Sequence, residues 1–313
     1  MRFVNAVVPH LTEVDARRIF VGRGPGGRPH GWTALRQARG TELTLLNVSV
    51  RWRSLLRDML FSGAAGGPYA IHLHGVDRAF AERAARRALV RRWFRGAERV
   101  FTLCNAQDAW LEHLGVGPER VFRTTTCFEP AEVPGPSEYA RDEPHVVYIG
   151  RVEAGKGLRR LLAALEWMGP RAPRTTVAGV GGLLPELRRR ARDAGLDVAF
   201  PGWVQGSEKC ALLASATAGV LHSSEEACPV FALEALASGC RLVASDVGAL
   251  PDLVGDQGTV LPVDVGVEAL ALALIESAEA PPPSASRAVA AFHPSNVGGR
   301  LGGELAQAVR ALA

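Results

Sequence analysis

Apolar and polar positions follow a regular block pattern from about residue 145 onward. Short, continuous apolar runs alternate with longer segments, such as KGLRRLLAALEWMG, in which apolar residues recur at helical spacing. Continuous apolar runs are typical of strands that are buried on both faces of a parallel sheet. The runs are HVVYIGRV, RTTVAGVG, LDVAFPGWV, AGVLHSS and CRLVASDVG. Repeated strand–helix units predict a doubly wound, Rossmann-like α/β domain.

The first part of the chain shows the same alternation less regularly. Strands are predicted at RRIFVGRG, ELTLLNVSV, PYAIHLHG, ERVFTLC and ERVFRTTTC, and helices at AFAERAARRALVRRWFRGA and NAQDAWLEHLG. Residues 129–144 are rich in proline and acidic side chains and lack periodicity, which is typical of a linker. PPPS at 281–284 marks a second break. We therefore predict two α/β domains, 1–135 and 136–285, and a terminal helix within 286–313 that returns to the first domain.

Composition and charge narrow the class of protein. The chain has 313 residues, 47% of them hydrophobic, and its formal net charge of +4 does not indicate nucleic-acid binding. No apolar run approaches the ~20 residues of a membrane span, and the N-terminus has no cleavable signal pattern. The cysteines lack CxxC spacing and are interpreted as reduced thiols rather than zinc ligands; they are Cys104, Cys127, Cys210, Cys228 and Cys240. We expect a cytoplasmic protein, and its alanine, arginine and glycine content suggests a GC-rich bacterial genome.

Two glutamates, Glu226 and Glu234, bracket an apolar stretch after the predicted strand AGVLHSS. In a doubly wound sheet, ligands bind at the carboxyl ends of the strands. Pro229 suits the first turn of a helix there, and the free N–H groups at 228–231 form an anion site. A nucleotide sugar carries both phosphates for the amides and hydroxyls for the carboxylates. The alternative is that Glu234 is a solvated helix residue and Glu226 an N-terminal charge.

A second candidate is the loop GRVEAGKG, residues 150–157, which follows the first strand of the second domain. Arg151 and Lys156 stand at the same carboxyl edge, where together they can neutralise a diphosphate without a metal ion. The alternative is an ordinary basic loop that opens an amphipathic helix.

Several motifs, in this order and spacing, resemble the donor domain of retaining glycosyltransferases of family 4. They are YIGRVEAGKGLRRLLAAL, TVAGVGGLLPEL, FPGWV and SSEEACPVFALEALASGCRLVASDVGALPDLV. The E-x7-E signature of that family falls at Glu226 and Glu234, and the resemblance is strongest over 145–265. It implies the GT-B fold, in which two Rossmann-like domains face each other across a cleft. It also implies transfer of a sugar, with retention, from a nucleoside-diphosphate sugar to a hydroxyl acceptor.

The resemblance implies a role for each residue of the second domain that matches the family's motifs. Gly150, Arg151 and Lys156 would hold the donor diphosphate. Glu234 would bind the nucleoside ribose, and Glu226 the hydroxyls of the transferred sugar. The backbone near four residues would help to hold sugar and phosphate: Cys228, Pro229, Val230 and Phe231. No metal or other cofactor is expected, because fixed positive groups take over the charge neutralisation that Mg²⁺ provides elsewhere.

In the first domain, IHLHGVD resembles the family's strand that ends in a histidine, and His74 is the matching residue. His74 is expected on the sugar or phosphate side and completes the predicted catalytic group, which is His74, Arg151, Lys156 and Glu226. His72 faces the same side of the strand, so the two histidines are also a candidate metal pair, although no third ligand is evident. The alternative is that His72 is packed and hydrogen-bonded.

Two further segments of the first domain allow more than one interpretation. GRGPGGRPHG resembles the family's Gly-Gly loop at Gly26 and Gly27, or is a surface turn. The helix predicted at AFAERAARRALVRRWFRGA carries arginines from Arg83 to Arg95 beside Phe80, Trp93 and Phe94. Such helices bind anionic lipid surfaces or are simply solvated, so peripheral contact with the inner membrane face is one expectation.

The first domain is short for this family, which leaves the acceptor less defined than the donor. A small molecule or a lipid-linked acceptor fits a compact domain better than a long polymer. Two alternatives stay open: a nucleotide-sugar epimerase of the same architecture, and a partner subunit that binds the nucleotide sugar without transferring it.

Overall fold

The structure is a computed structural model that describes residues 6–11, 13–15, 36, 38–50, 52–76, 82–83, 87–135, 141–283 and 290–313. It divides into two compact units. The first unit comprises residues 1–126 and 294–313, and the second comprises residues 127–293. Both boundaries predicted from the sequence, after residues 135 and 285, fall inside the second unit.

The first unit is built on a four-stranded parallel sheet. Its strands are β1 (Thr44–Val50), β2 (Tyr69–Val76), β3 (Arg99–Thr102) and β4 (Val121–Arg123), which pair in that order. The helices that connect them are α1 (Trp52–Ala65), α2 (Ala88–Arg95) and α3 (Asn105–Leu114). Buried side chains from the sheet and the helices, among them Leu73, Phe94 and Leu111, form one apolar core.

The arginine-rich segment of the first unit differs from the single long helix predicted for it. Arg87 is extended (φ −91°, ψ 117°), so α2 begins only at Ala88. Trp93 and Phe94 are buried, and the Trp93 indole donates a hydrogen bond to the Ser62 hydroxyl (2.8 Å). These two rings therefore belong to the core and do not form an apolar face for lipid. Within the described ranges, no helix combines the length and the apolar character needed to cross a membrane.

The second unit contains the regular half of the sequence. Its strands are β5 (His145–Ile149), β6 (Arg174–Ala178), β7 (Val198–Gly202), β8 (Ala218–Leu221), β9 (Arg241–Ser245) and β10 (Gly258–Leu261). The helices are α4 (Leu158–Met168), α5 (Leu184–Asp193), α6 (Gly206–Ser215), α7 (Val230–Ala237), α8 (Leu250–Val254) and α9 (Val267–Glu279). All strand pairs are parallel, in the order β10-β9-β8-β5-β6-β7.

The strand order of the second unit reverses between β5 and β8. The chain moves outward from β5 in one direction through β6 and β7, then returns to β8 on the other side of β5. At such a point the two loops at the carboxyl ends of the strands diverge and leave a crevice, where open α/β sheets bind their ligands.

Helix α7 is buried on all sides, which explains its almost wholly apolar sequence. It packs against β8, β9 and α8, and every residue from Phe231 to Ala237 is buried. The exception to the apolar pattern is Glu234, which lies in the middle of this buried stretch.

The end of the chain belongs to the first unit. Helix α10 (Pro294–Leu312) packs against a 3₁₀ turn over Val8–His10. Gly298 makes the approach possible, because a Cβ atom there would lie 2.6 Å from the Cβ of His10.

Some sequence-based expectations fall on residues outside the described ranges. They are the strand predicted at residues 17–24, the glycine positions Gly26 and Gly27, and the aromatic residue Phe80.

Gly157 lets the two loops at the carboxyl edge of β5 and β8 touch. Its φ is 71°, and a Cβ atom there would lie 2.0 Å from the carbonyl oxygen of His222. A side chain at this position would therefore push the loop after β8 away from the loop after β5.

We expect Gly157→Ala to destabilise the protein more than Gly195→Ala. Gly195 also has a positive φ, 64°, but nothing lies within 4 Å of its added methyl group. The control therefore reports the cost of left-handed backbone, about 1–2 kcal/mol, whereas Gly157→Ala must also displace a backbone carbonyl. The midpoint of thermal unfolding should fall at least ~3 °C further for Gly157→Ala. Equal shifts would contradict the close loop contact.

Candidate functional site

The candidate site lies at the carboxyl ends of β5 and β8, on either side of the strand-order reversal. The loop 150–157 follows β5, and the loop 222–229 follows β8. The loops meet through Ser224, whose N–H and hydroxyl both donate to the carbonyl oxygen of Gly155, at 2.9 and 3.2 Å. Side chains from both loops are thereby held at one edge of the sheet.

Lys156 and Glu226 form an ion pair between these loops. Lys156 Nζ lies 2.6 Å from Glu226 Oε1, and the two side chains are 15% and 12% exposed. The Ser223 hydroxyl donates to the same carboxylate oxygen (2.9 Å). Because little water screens so buried a pair, its electrostatic attraction is stronger than that of an exposed pair. The structure thus brings together two of the predicted site residues and adds Ser223, which the sequence analysis did not identify.

Arg151, on the loop 150–157, forms an exposed ion pair with Glu153 (2.7 Å). Its backbone is held by a hydrogen bond, which the hydroxyl of the buried Tyr148 donates to the Arg151 carbonyl oxygen (2.7 Å). Burial raises the pKa of Tyr148, and the Glu226 carboxylate raises it further, so the hydroxyl keeps its proton. Exposed ion pairs are weak. The Arg151 guanidinium can therefore exchange Glu153 for an anionic ligand at little cost.

The loop 222–229 leads into the N-terminus of α7. Pro229 was predicted in the first turn of this helix, but in the structure it is the N-cap residue, with φ −71° and ψ 127°. Cys228 and Phe231 are buried, and Val230 is exposed at the helix start. The unpaired N–H groups of a helix start, together with the helix dipole, attract anions.

Gly248, just after β9, supports the loop from the other side. Its φ is 59°, and a Cβ atom there would lie 2.2 Å from the Glu226 carbonyl oxygen. The next residue, Ala249, donates its N–H to the carbonyl of Ala227 (2.8 Å). The loop backbone is therefore held by packing at Glu226 and by a hydrogen bond at Ala227.

Glu234 is not the solvated helix residue of the alternative interpretation. It is 2% exposed and forms an ion pair with Lys209 of α6. Lys209 is also buried and binds Glu132, with Nζ 2.9 Å from Oε2. Glu132 belongs to the segment predicted as a linker, but in the structure it is a buried residue of the second unit. No pattern in the sequence joined these three residues, because each lies in a different segment.

In the first unit, His72 and His74 of β2 share one hydrogen-bond partner on β1. The Asn47 side-chain oxygen lies 3.3 Å from His72 Nδ1 and 2.8 Å from His74 Nε2. The two imidazole rings meet edge to face, with centroids 4.2 Å apart. Burial lowers the pKa of His74 to about 4 and that of His72 well below its ordinary value. Both rings are therefore neutral at neutral pH, and Asn47 is a partner that the sequence analysis missed.

Metal ligation has no candidate in the part of the chain that the structure describes, where no group of three or more His, Cys, Asp or Glu side chains is placed to hold an ion.

The chain has the GT-B fold, which it shares with several solved structures. HepE of Anabaena, solved in complex with UDP, has a TM-score of 0.70 over 88% of this chain and 81% of that chain, at 18% identity. AviGT4, a glycosyltransferase involved in avilamycin A biosynthesis, has a TM-score of 0.65 over 99% of this chain and 88% of that chain, at 19% identity.

The segment that carries the site matches a known family. Residues 143–279 match the model of the family Glycosyl transferases group 1. The chain is 35% identical, over 46% of its length, to the phosphatidyl-myo-inositol mannosyltransferase of Mycolicibacterium smegmatis. It is 34% identical, over 48% of its length, to a glycogen synthase of Mycobacterium tuberculosis. The matches cover 39% and 38% of those two proteins, so the chain aligns with about two-fifths of each.

We expect the Lys156→Met variant to be less stable than the Arg151→Met variant. Removing Lys156 leaves a mostly buried carboxylate without its cation, which should cost about 1–3 kcal/mol. Removing Arg151 breaks an exposed pair and should change the free energy of unfolding by less than ~0.5 kcal/mol. Thermal unfolding of both variants without ligand measures the difference, and equal stabilities would contradict the buried pair.

We expect the His74 imidazole to take up its proton only near pH 4. An NMR titration of its Cε1–H resonance, assigned by comparison with His74→Gln, measures the midpoint directly. A midpoint close to 6.5, the ordinary value for histidine, would show that the ring is solvated and not held between Asn47 and His72.

Proposed function

We propose that this protein is a retaining glycosyltransferase that moves a sugar from a nucleoside-diphosphate sugar to a hydroxyl acceptor. The observation that carries the proposal is the charged cluster at the strand-order reversal, in the segment that matches the glycosyltransferase group 1 model. Lys156, Glu226 and the start of α7 meet there, at the edge where doubly wound sheets bind nucleotides.

The donor diphosphate would bind between the loop 150–157 and the N-terminus of α7. A lysine ammonium has three N–H donors, so Lys156 can keep its bond to Glu226 and still donate to phosphate. Arg151 would leave Glu153 and add a second positive charge. Cys228 and Val230 would supply backbone amides beside the helix dipole. Such fixed positive groups neutralise the leaving diphosphate, and no metal ion is required for that charge.

The two glutamates would bind the hydroxyl groups at either end of the diphosphate. Glu226, held by Lys156 and Ser223, would accept hydrogen bonds from the transferred sugar. Glu234 would accept hydrogen bonds from the ribose. A carboxylate has about four acceptor sites, so an existing ion pair leaves each glutamate with further acceptor capacity.

In the proposed reaction the acceptor hydroxyl attacks the anomeric carbon from the face that the diphosphate leaves. The bond from the anomeric carbon to the phosphate oxygen breaks, and the new glycosidic bond forms on the same side. The departing phosphate oxygen takes the acceptor proton, so the products are the glycoside and the nucleoside diphosphate. Lys156 and Arg151 would stabilise the negative charge that develops on the leaving group.

The first unit would serve the acceptor side of the reaction. His74 is proposed to contact the sugar or phosphate as a neutral ring, in keeping with its low pKa. The acceptor is proposed to be a small molecule or a lipid-linked molecule, and the protein to work in the cytoplasm. The complexes of HepE with UDP and UDP-glucose make UDP-sugars the first donors to test.

The test is turnover of UDP-glucose and related donors with a panel of hydroxyl acceptors. Turnover is measured as the rate at which the nucleoside diphosphate is released. We expect Lys156→Met to lower kcat/KM at least ~100-fold, as expected when one group that stabilises the leaving charge is lost. Arg190→Met is the matched control, because it removes a cation from the Glu166 ion pair on the helices α4 and α5. It should leave kcat/KM unchanged.

The products separate the proposal from its rivals. NMR of the glycoside should show the anomeric configuration of the donor. Isomerised donor formed without acceptor would indicate an epimerase, and tight donor binding with neither transfer nor hydrolysis would indicate a binding subunit. Absence of binding by every UDP-, GDP- and ADP-sugar tested would refute the donor site.

A further inference from the structure

Glu234 of α7 is one of three buried charged side chains that lie together, and the formal charges of the three sum to −1. Lys209 lies between the carboxylates of Glu132 and Glu234, and all three residues are less than a tenth exposed. Removing a charge from water is costly unless it is paired and hydrogen-bonded. With two carboxylates and one ammonium, this group needs further stabilisation of its negative charge.

Part of that stabilisation comes from the start of α6. The backbone N–H of Gly206, the first residue of that ten-residue helix, donates to Glu132 Oε1 (3.0 Å). Glu132 thus has Lys209 on one oxygen and a helix N-terminus on the other. Both interactions favour its ionised form. Glu132 and Glu234 therefore both bind the Lys209 ammonium.

Arg141, which like Glu132 comes from the predicted linker 129–144, binds the C-terminal end of α7. The Arg141 guanidinium donates to the carbonyl oxygens of Ser238 and Gly239, which follow the last turn of the helix. A cation at a helix C-terminus is favoured by the helix dipole. Arg141 thus binds the end of α7 directly, whereas Glu132 is linked to Glu234 of that helix through Lys209.

We propose that Lys209 and Glu132 are positioning residues for Glu234. Lys209 keeps the buried Glu234 carboxylate charged and in one orientation, and Glu132 keeps Lys209 there, so that Glu234 can accept hydrogen bonds from the ribose hydroxyls of the donor. This inference rests on the proposed function, in which Glu234 binds the ribose. Without the Lys209 cation, a carboxylate as buried as Glu234 would turn away or take up a proton, and the ribose hydroxyls would lose their acceptor.

The test is the ratio of dissociation constants for UDP and 2′,3′-dideoxy-UDP, measured by calorimetry, with the GDP and ADP pairs measured in the same way. A hydrogen bond to a charged group predicts that the wild type binds the ribose form about 10- to 100-fold more tightly. In Lys209→Met the ratio should fall to about 1, through weaker binding of the ribose form. Lys209→Arg, which keeps the cation, should retain most of the wild-type ratio. A purely structural role would weaken both ligands equally.

Glu132→Gln keeps the inference testable if Lys209→Met fails to fold. It preserves the side-chain shape but removes the charge that holds Lys209, and it should lower the ratio at least threefold. Arg190→Met, which breaks the Glu166 ion pair on α4 and α5, is the control and should leave the ratio unchanged.

Two outcomes overturn different claims. If the nucleotides bind but Lys209→Met leaves the ratio unchanged, the positioning role alone is refuted. Where Lys209→Met does not fold, an unchanged ratio in Glu132→Gln refutes that role instead. If none of the three diphosphates binds the wild type, the donor site fails, and the positioning role fails with it.

Discussion

The reversal of strand order between β5 and β8 is the constraint on which the candidate site depends. It makes the loops after these two strands leave the sheet in different directions, so that a crevice opens at their carboxyl ends. Gly157 then allows the backbones of the two loops to come into contact at this edge of the sheet. Lys156 and Glu226 come from different loops and meet only because of this geometry. A side chain at Gly157 would meet the His222 carbonyl oxygen and push the two loops apart.

Charge placement follows from burial in the same region. Helix α7 is packed on all sides, so a carboxylate near it or within it must have a cation close by. Lys156 supplies that cation for Glu226 beside the helix start, and Lys209 supplies it for Glu234 inside the helix. Both lysines can serve a second purpose under the proposed function, because a paired carboxylate stays ionised and keeps a fixed direction. Structural charge compensation and ligand recognition would thus use the same groups.

The sequence predicted the fold well, because a doubly wound sheet leaves a strong periodic pattern. Strands buried on both faces read as continuous apolar runs, and the predicted α/β class and GT-B fold are confirmed. The carboxyl edge could be located for the same reason, since Glu226 directly follows a strand. The single long arginine-rich helix was wrong, because helical spacing continues through Arg87 although its backbone is extended.

Contacts between distant segments could not be predicted in this way. Lys209 reads as an ordinary polar position of an amphipathic helix, and Glu132 as a charge in a proline-rich linker. Their burial around Glu234 depends on contacts between residues far apart in the chain, and no periodic pattern within the sequence carries a signal for such contacts. The role of Asn47 could not be predicted for the same reason, because its partners His72 and His74 lie on the neighbouring strand.

The most direct test of the central claim is a crystal structure of the protein with UDP, or with the diphosphate that binds most tightly. We expect the diphosphate within hydrogen-bonding distance of Lys156 Nζ and the backbone N–H of Val230, with the ribose against Glu234. A nucleotide bound at another edge of the sheet, with Lys156 and Glu226 untouched, would contradict the donor site at the strand-order reversal.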